Sequence, residues 1–290
     1  MAKIIRAMTR DGSARILAEH SADIVNEAIR IHDTLPVCTA ALGRTLTAAS
    51  MLGSLLGEEQ DALTVSFRGD GPAGRIVVSS DWKGNVRGYV QNPHVDIPLK
   101  PNGKLDVARA VGKGKLYILR DAGGSEPYVG IAEITSGEIA EDIASYYAKS
   151  EQVPTLCSLG VLVGTDCKCT TAGGVIIQLL PFADDAVIDK LEKNVEKLPG
   201  ITTLLSSHTL EEVVGMYLEG VEYDIFDTFE CAYECKCSRA KTDAALRTLG
   251  REELAKMIDS DEKTVVSCQF CDKKYAYSKS DIKKIMEELK

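Results

Sequence analysis

YECKCSRAKTDAALRTLGREEL (residues 233–254) and VSCQFCDKKYAYS (266–278) carry four cysteines: a C-x-C pair, Cys235 and Cys237, and a C-x-x-C pair, Cys268 and Cys271. Thiolates arranged as two short pairs suit a tetrahedral metal. Zinc takes four ligands in structural sites, binds sulfur at about 2.3 Å and has no d-electron preference for another geometry. The C-x-C pair is tighter than the pairs of most zinc ribbons and fingers. From spacing alone three readings stay open: a static zinc staple, a redox-responsive site and chance clustering. Around the cysteines, KTDAALRTLGREELAKMI (241–258) is helix-forming, TVVSC and KKYAYS read as a short β pair, and SDIKKIMEELK (280–290) reads as a final helix with Ser280 as N-cap. A unit of about 60 residues with so few apolar side chains is near the limit of independent folding, so metal must supply much of its stability.

The C-x-C, thirty-residue, C-x-x-C pattern resembles the C-terminal domain of the redox-regulated 33-kilodalton heat-shock chaperone family. SYYAKSEQVPT (145–155), AGGVIIQLLP (172–181) and FRGDGPAG (67–74) resemble the same family in the expected order, so the likeness spans essentially the full length. It implies an ATP-independent holdase with no catalytic site. One Zn2+ per chain would be held by Cys235, Cys237, Cys268 and Cys271 in a reduced, quiescent form. Oxidation would unfold the zinc domain and the adjoining linker, exposing apolar surface that captures unfolding client proteins. The active form is implied to be a homodimer made through the N-terminal domain.

The chemistry of the thiolates agrees with such a switch. Zinc holds thiols deprotonated, and thiolates react with peroxide or hypochlorous acid much faster than thiols do. Oxidation ejects the metal, and each pair can then close on itself, Cys235 with Cys237 and Cys268 with Cys271. These disulfides span loops too short to replace the lost folding energy. Lys236, Arg239, Lys273 and Lys274 flank the ligands and either support thiolate charge or are solvated surface residues.

Charge and length bound the alternatives. The chain has 290 residues and a formal net charge of −9. Residues 231–290 hold 13 basic and 11 acidic side chains, leaving 21 against 32, a net of −11, for the preceding 230. An acidic body repels phosphate backbones, which disfavours nucleic acid as a partner. The N-terminal MAKIIRAMTRDGSARIL places Arg6, Arg10 and Arg15 where a signal peptide needs an apolar run, so a cytoplasmic protein is expected. Nine cysteines in such a chain argue for metal or redox chemistry over a disulfide framework. VCTAALGRTLTAASMLGSLLG (37–57) is long enough to suggest a membrane span, but Arg44 and its many hydroxyls make it a buried helix packed closely by other elements.

Helical and strand patterns segregate, giving an α+β fold. Residues after Ser21 fit a capped amphipathic helix, and the buried helix follows Pro36. Short β-branched or aromatic runs at 62–68, 74–80, 85–91, 115–121 and 128–134, divided by Gly, Pro, Asn and Asp, read as antiparallel strands. A helix over 138–150 and strands over 155–164 and 174–181 complete a domain at 1–182, which the resemblance implies to be the client-binding and dimerisation domain. From 183 to about 228 the pattern is helical, with apolar stripes Ile188, Leu191, Val195, Leu198 and Leu210, Val213, Val214, Tyr217, Leu218. This region, 183–229, is expected to be a helical linker, packed ordinarily or serving as a lid, and 230–290 the zinc-binding redox switch.

Five cysteines fall outside the motif. Cys231 reads as a free, partly exposed thiol, with exchange into the oxidised site as the alternative. Cys167 and Cys169 form a second C-x-C, for which only Cys157 and Cys38 could complete a metal site. The four histidines, His20, His32, His94 and His208, lack metal spacing. Gly69, Gly71 and Gly74 superficially suggest a phosphate loop, but no Lys-Ser/Thr follows and a turn is the better reading. Against the chaperone stand a thiol oxidoreductase using Cys268 and Cys271, which lacks a βαβ context, and a zinc-stapled interaction module.

Overall fold

The computed structural model describes residues 1–123, 126–260 and 263–289 of the chain. These fall into two compact units, Met1–Glu234 and Cys235–Lys290. In chain order the first contains β1 (Ala2–Thr9), β2 (Ala14–His20), α1 (Ala22–His32), α2 (Pro36–Gly53), β3 (Ala62–Gly69), β4 (Arg75–Asp81), β5 (Val86–Val90), α3 (Val107–Val111), β6 (Gly114–Asp121), β7 (Tyr128–Glu133), α4 (Ala140–Ser150), β8 (Thr155–Val163), β9 (Cys169–Leu179), α5 (Asp185–Lys197), α6 (Ile201–Ser207), α7 (Leu210–Tyr217) and β10 (Tyr223–Cys231). The second contains α8 (Arg239–Arg247), α9 (Gly250–Asp259), β11 (Thr264–Ser267), β12 (Lys274–Tyr277) and α10 (Lys279–Glu287).

The first unit is α+β, with two five-stranded antiparallel sheets ordered β10-β1-β2-β9-β8 and β5-β4-β3-β6-β7. Helix α2 packs against strands of both, and 16 of its 18 residues are buried. Its small residues permit that closeness: a Cβ on Gly53 would meet the Ser80 hydroxyl at 2.0 Å. Two of its buried hydroxyls are satisfied within the helix, Thr45 donating to the Ala41 carbonyl at 2.8 Å and Thr47 to that of Gly43 at 2.9 Å. Arg44 reaches Glu138 at 2.7 Å, so the one charge on the helix is paired. Among the described residues, no helix is long and apolar enough to cross a membrane.

The opposite face of the first sheet is covered by α5, α6 and α7. Leu191, Ile201, Leu204, Leu205, Leu210, Val213, Val214, Tyr217 and Leu218 are buried against Ile5, Ala7, Ala14, Ile16, Ala18, Val175 and Ile177. Both apolar stripes of this region thus find a surface, each fully buried side chain stabilising the contact by about 1.5–3 kcal/mol. Asn194 of α5 donates to the carbonyls of Tyr217 and Glu219 at 3.1 and 2.9 Å, tying α5 to the end of α7.

The structure departs from the sequence reading in particulars. Residues 223–228, expected to continue the helical stretch, form with 229–231 the strand β10, which pairs with β1. Ala2–Thr9 forms β1 and pairs with β2 as well; both strands bury apolar side chains in the cluster around α2 (Ile4, Leu17) and in that beneath α5–α7 (Ile5, Ala7, Ile16, Ala18), so the period-two signature is lost. Ser21 makes no cap bond with its side chain and instead shares a 2.7 Å hydrogen bond with Thr47. The Gly69–Gly71 turn lies against α3, where a Cβ would meet the Val111 carbonyl at 1.9 Å or that of Ala110 at 2.4 Å, so the glycines serve close packing.

In the second unit the helical stretch is broken at Leu249–Gly250, with Gly250 at φ +80°. The N-cap of α10 is Ser278, two residues before Ser280, because Asp281 at its third position completes a capping box: Ser278 Oγ accepts from the Asp281 amide at 3.2 Å and Asp281 accepts from the Ser278 amide at 2.9 Å. Lys290, the last residue of the expected final helix, lies outside the described residues. The core of this unit is Leu246, Leu254, Tyr277, Ile282 and Ile285.

Candidate metal centre

Strands β11 and β12 form a hairpin whose connection carries Cys268 and Cys271, and the Cys268 amide donates to the Lys273 carbonyl at 3.0 Å to close the turn. Cys235 and Cys237 lie in the extended segment before α8, which Ser238 caps by accepting from the Lys241 amide at 3.3 Å. The four sulfurs lie within 4.8 Å of one another, with Cys235 to Cys268 at 3.7 Å and Cys237 to Cys271 at 3.5 Å. A regular tetrahedron of sulfurs about 2.3 Å from a zinc ion has edges of about 3.8 Å, so the donor set and its spacing fit that metal. All four are half-buried. Four soft donors leave no open ligand position, which describes a structural site and not a catalytic one.

The thiols differ in environment. Burial and then its sulfur neighbours push Cys235 up to about 12. Burial acts in the same direction on Cys237, but the Tyr275 hydroxyl donates to its sulfur at 3.1 Å and, with the neighbouring thiols, lowers it to about 7. Tyr275 is thus a member of the site that sequence reasoning did not find. Its only trace in the sequence is the alternation of aromatics in KYAY, which places Tyr275 and Tyr277 on one face of β12.

Arg239, expected to flank the ligands, is committed to the fold. It lies over the Tyr277 ring at 4.3 Å, pairs with Asp281 at 3.1 Å and donates to the Ala276 carbonyl. Cys268 and Cys271 sit in a hairpin turn with no helix starting at Cys268, unlike the strand-to-helix setting of a thioredoxin-like dithiol.

The remaining cysteines do not assemble. Among the described residues no metal-sized cluster includes Cys38, Cys157, Cys167 or Cys169. Cys38 is buried and donates to the Asn92 carbonyl, burial pushes Cys157 up to about 12 and Cys169 up to about 11, and Cys167 is exposed. Cys231, expected to be partly exposed, is only 2% exposed.

Comparison with known proteins agrees with this arrangement. The Hsp33 protein family model matches residues 2–278. The chain is 45% identical over 288 residues to the 33 kDa chaperonin of Clostridioides difficile, covering 99% of each, and 44% identical to that of Acetivibrio thermocellus, covering 98% of this chain and 96% of its relative. It is similar to the crystal structure of the 33 kDa chaperonin (heat shock protein 33 homolog) of Thermotoga maritima, with a TM-score of 0.91, 34% identity and coverage of 98% and 97%. From its first strand to the cap of its last helix, the chain belongs to the Hsp33 family.

Proposed function

We propose that this chain is a redox-regulated, ATP-independent chaperone of the holdase type, acting in the cytoplasm under oxidative stress. The observation that carries the reading is the convergence of Cys235, Cys237, Cys268 and Cys271 within 4.8 Å, in a chain whose relatives are chaperonins. In the reduced state these residues bind one zinc ion, which would hold the sulfurs as thiolates and close the second unit. A peroxide then takes two electrons from each cysteine pair, forming one S–S bond and leaving, with two protons, as two water molecules. Sulfur contacts of 3.7 and 3.5 Å run between the pairs. Once the metal is lost and the unit opens, however, loop closure favours partners adjacent in sequence, giving Cys235–Cys237 and Cys268–Cys271.

Loss of the metal removes the main stabilising interaction of residues 230–290. The linker, 183–229, then leaves the N-terminal domain, 1–182, and the apolar face that Leu204, Val213 and Val214 cover becomes available to unfolded clients. The active form is a homodimer, and neither nucleic acid nor a membrane is a partner. No enzymatic step is required.

The test is zinc content and suppression of client aggregation, measured before and after peroxide treatment without ATP, with peptide mapping of the disulfides. The reduced protein is expected to hold one zinc and protect little, and the oxidised protein to hold none and protect well. An oxidised, zinc-free sample that fails to suppress aggregation would refute the chaperone mechanism. Cross-pair disulfides in the map would refute the order of unfolding and bond formation.

A further inference from the structure

Among the described residues of the first unit two carboxyls are almost wholly buried, and they are treated in opposite ways. Asp142, at the start of α4, accepts from the backbone amides of Thr135, Ser136, Gly137 and Ile139 at 2.7–3.2 Å. Glu19, in the middle strand β2 and fully buried, has one oxygen near the Cys231 thiol at 3.5 Å and the other, Oε2, without any hydrogen-bond partner. No ion pair of Glu19 is found among the described residues. An ionised carboxylate in such a place lacks the donors or the cation needed to offset its desolvation, so the neutral acid is the stable form.

Every neighbour of this group is apolar or neutral. Strand β1 presents Ile4 opposite Glu19, and β9 presents Gly174. Helix α2 presents Ser50, whose hydroxyl donates to the Gly84 carbonyl at 2.7 Å and lies 3.6 Å from the Cys231 sulfur. Strand β10 presents Cys231 itself. Beyond the thiol, the nearest charges that act on it are Asp81 at the end of β4 and the amino terminus of Met1, which pairs with Asp23 at 2.7 Å. Cys231 is the last residue of β10, opposite Ala2 of β1, and its thiol meets a neutral carboxyl rather than a charge.

We propose that Glu19 is a neutral carboxyl that latches the end of β10 into the first unit, and that its ionisation at alkaline pH releases this strand end and uncovers the Cys231 thiol. Burial raises Glu19 to about 8, opposed by the Ser50 and Cys231 contacts. The folded protein keeps the proton that an unfolded chain gives up in the ordinary carboxylate range. Its contribution to stability is therefore full at acidic pH and is lost as the pH rises through about 8. The Cys231 thiol, itself raised by burial and by Glu19, stays neutral and unreactive while the latch is closed.

The test uses the reduced, zinc-loaded full chain, pulsed with iodoacetamide between about pH 7 and pH 9.5, with peptide-resolved labelling of Cys231 divided by that of exposed Cys167. The ratio corrects for the general rise of thiol reactivity with pH. It is expected to climb by up to about tenfold per pH unit below the Glu19 transition, where opening releases one proton, to level off above it, and to stay level throughout in the isosteric Glu19→Gln variant. A level ratio in the native chain, or the same climb in the variant, overturns the proposal. Should the variant not fold, infrared spectroscopy of the native protein decides. A protonated-carboxyl carbonyl band present at neutral pH and lost above about pH 9 supports the latch, and its absence at neutral pH refutes it.

Discussion

The two units of this protein hold themselves together by different means. The first buries two large apolar clusters, one around α2 and one beneath α5–α7, and it uses polar groups mainly to satisfy backbone and hydroxyls within them. The second, residues 235–290, has among its described residues five buried apolar side chains and four thiols in a half-buried cluster. A core of that size is marginal for independent folding, whereas structural zinc contributes an apparent 10–16 kcal/mol, roughly, in small domains. Stability that rests on one metal cluster can be removed in a single chemical event, while stability distributed over dozens of packed side chains cannot. Under the proposed function, this contrast would let oxidation act on one part of the chain and spare the other.

The largest expected effect comes from taking the metal away. Chelation of the reduced protein, or replacement of any one of Cys235, Cys237, Cys268 and Cys271 by Ser, should abolish hydrogen-exchange protection across 235–290 while β2, β3 and β9 remain protected. Persistent protection of β11, β12 and α10 without metal would erase the contrast between the units.

A smaller effect should follow from weakening the cover of the first sheet. Leu204→Ala, at a site 2% exposed, is expected to cost about 2–5 kcal/mol and to raise apolar-dye binding and client protection in the reduced protein. Lost stability with unchanged dye binding would mean that α5–α7 pack without masking a client surface. Truncation after Pro181 carries the same question further: the remaining body should stay folded and hold clients without oxidation.

Finer still, Tyr275→Phe removes the hydroxyl that donates to Cys237 and should weaken zinc binding by about 1 kcal/mol, read by competition with a chelating dye. Unchanged affinity would limit Tyr275 to a packing role. Last, Ser278→Ala deletes one cap of α10 and should cost about 1 kcal/mol, confined to the second unit and visible as a lower melting temperature of the zinc-loaded form. A shift in the first unit's transition instead would contradict the division between them.

The sequence by itself determined the elements whose signal is local. Four cysteines in two short pairs suggest a tetrathiolate centre because the spacing within a pair is a property of a few consecutive residues, and the structure brings those four sulfurs within 4.8 Å of one another. The buried character of α2 and the strands β3 to β9 were legible for the same reason: small residues at helical spacing, and β-branched runs cut by turn residues. Tertiary structure alone decided the rest. β1 and β2 are covered on both faces, which removes the alternation that marks a strand, and β10 joins the sheet only because β1, more than 200 residues earlier, offers it an edge. The Tyr275 contact with Cys237 and the enclosure of Cys231 beside Glu19 likewise join residues remote in sequence. Chain neighbours carry no trace of such partners, since burial and hydrogen bonding are set by what packs against a side chain and not by what precedes it.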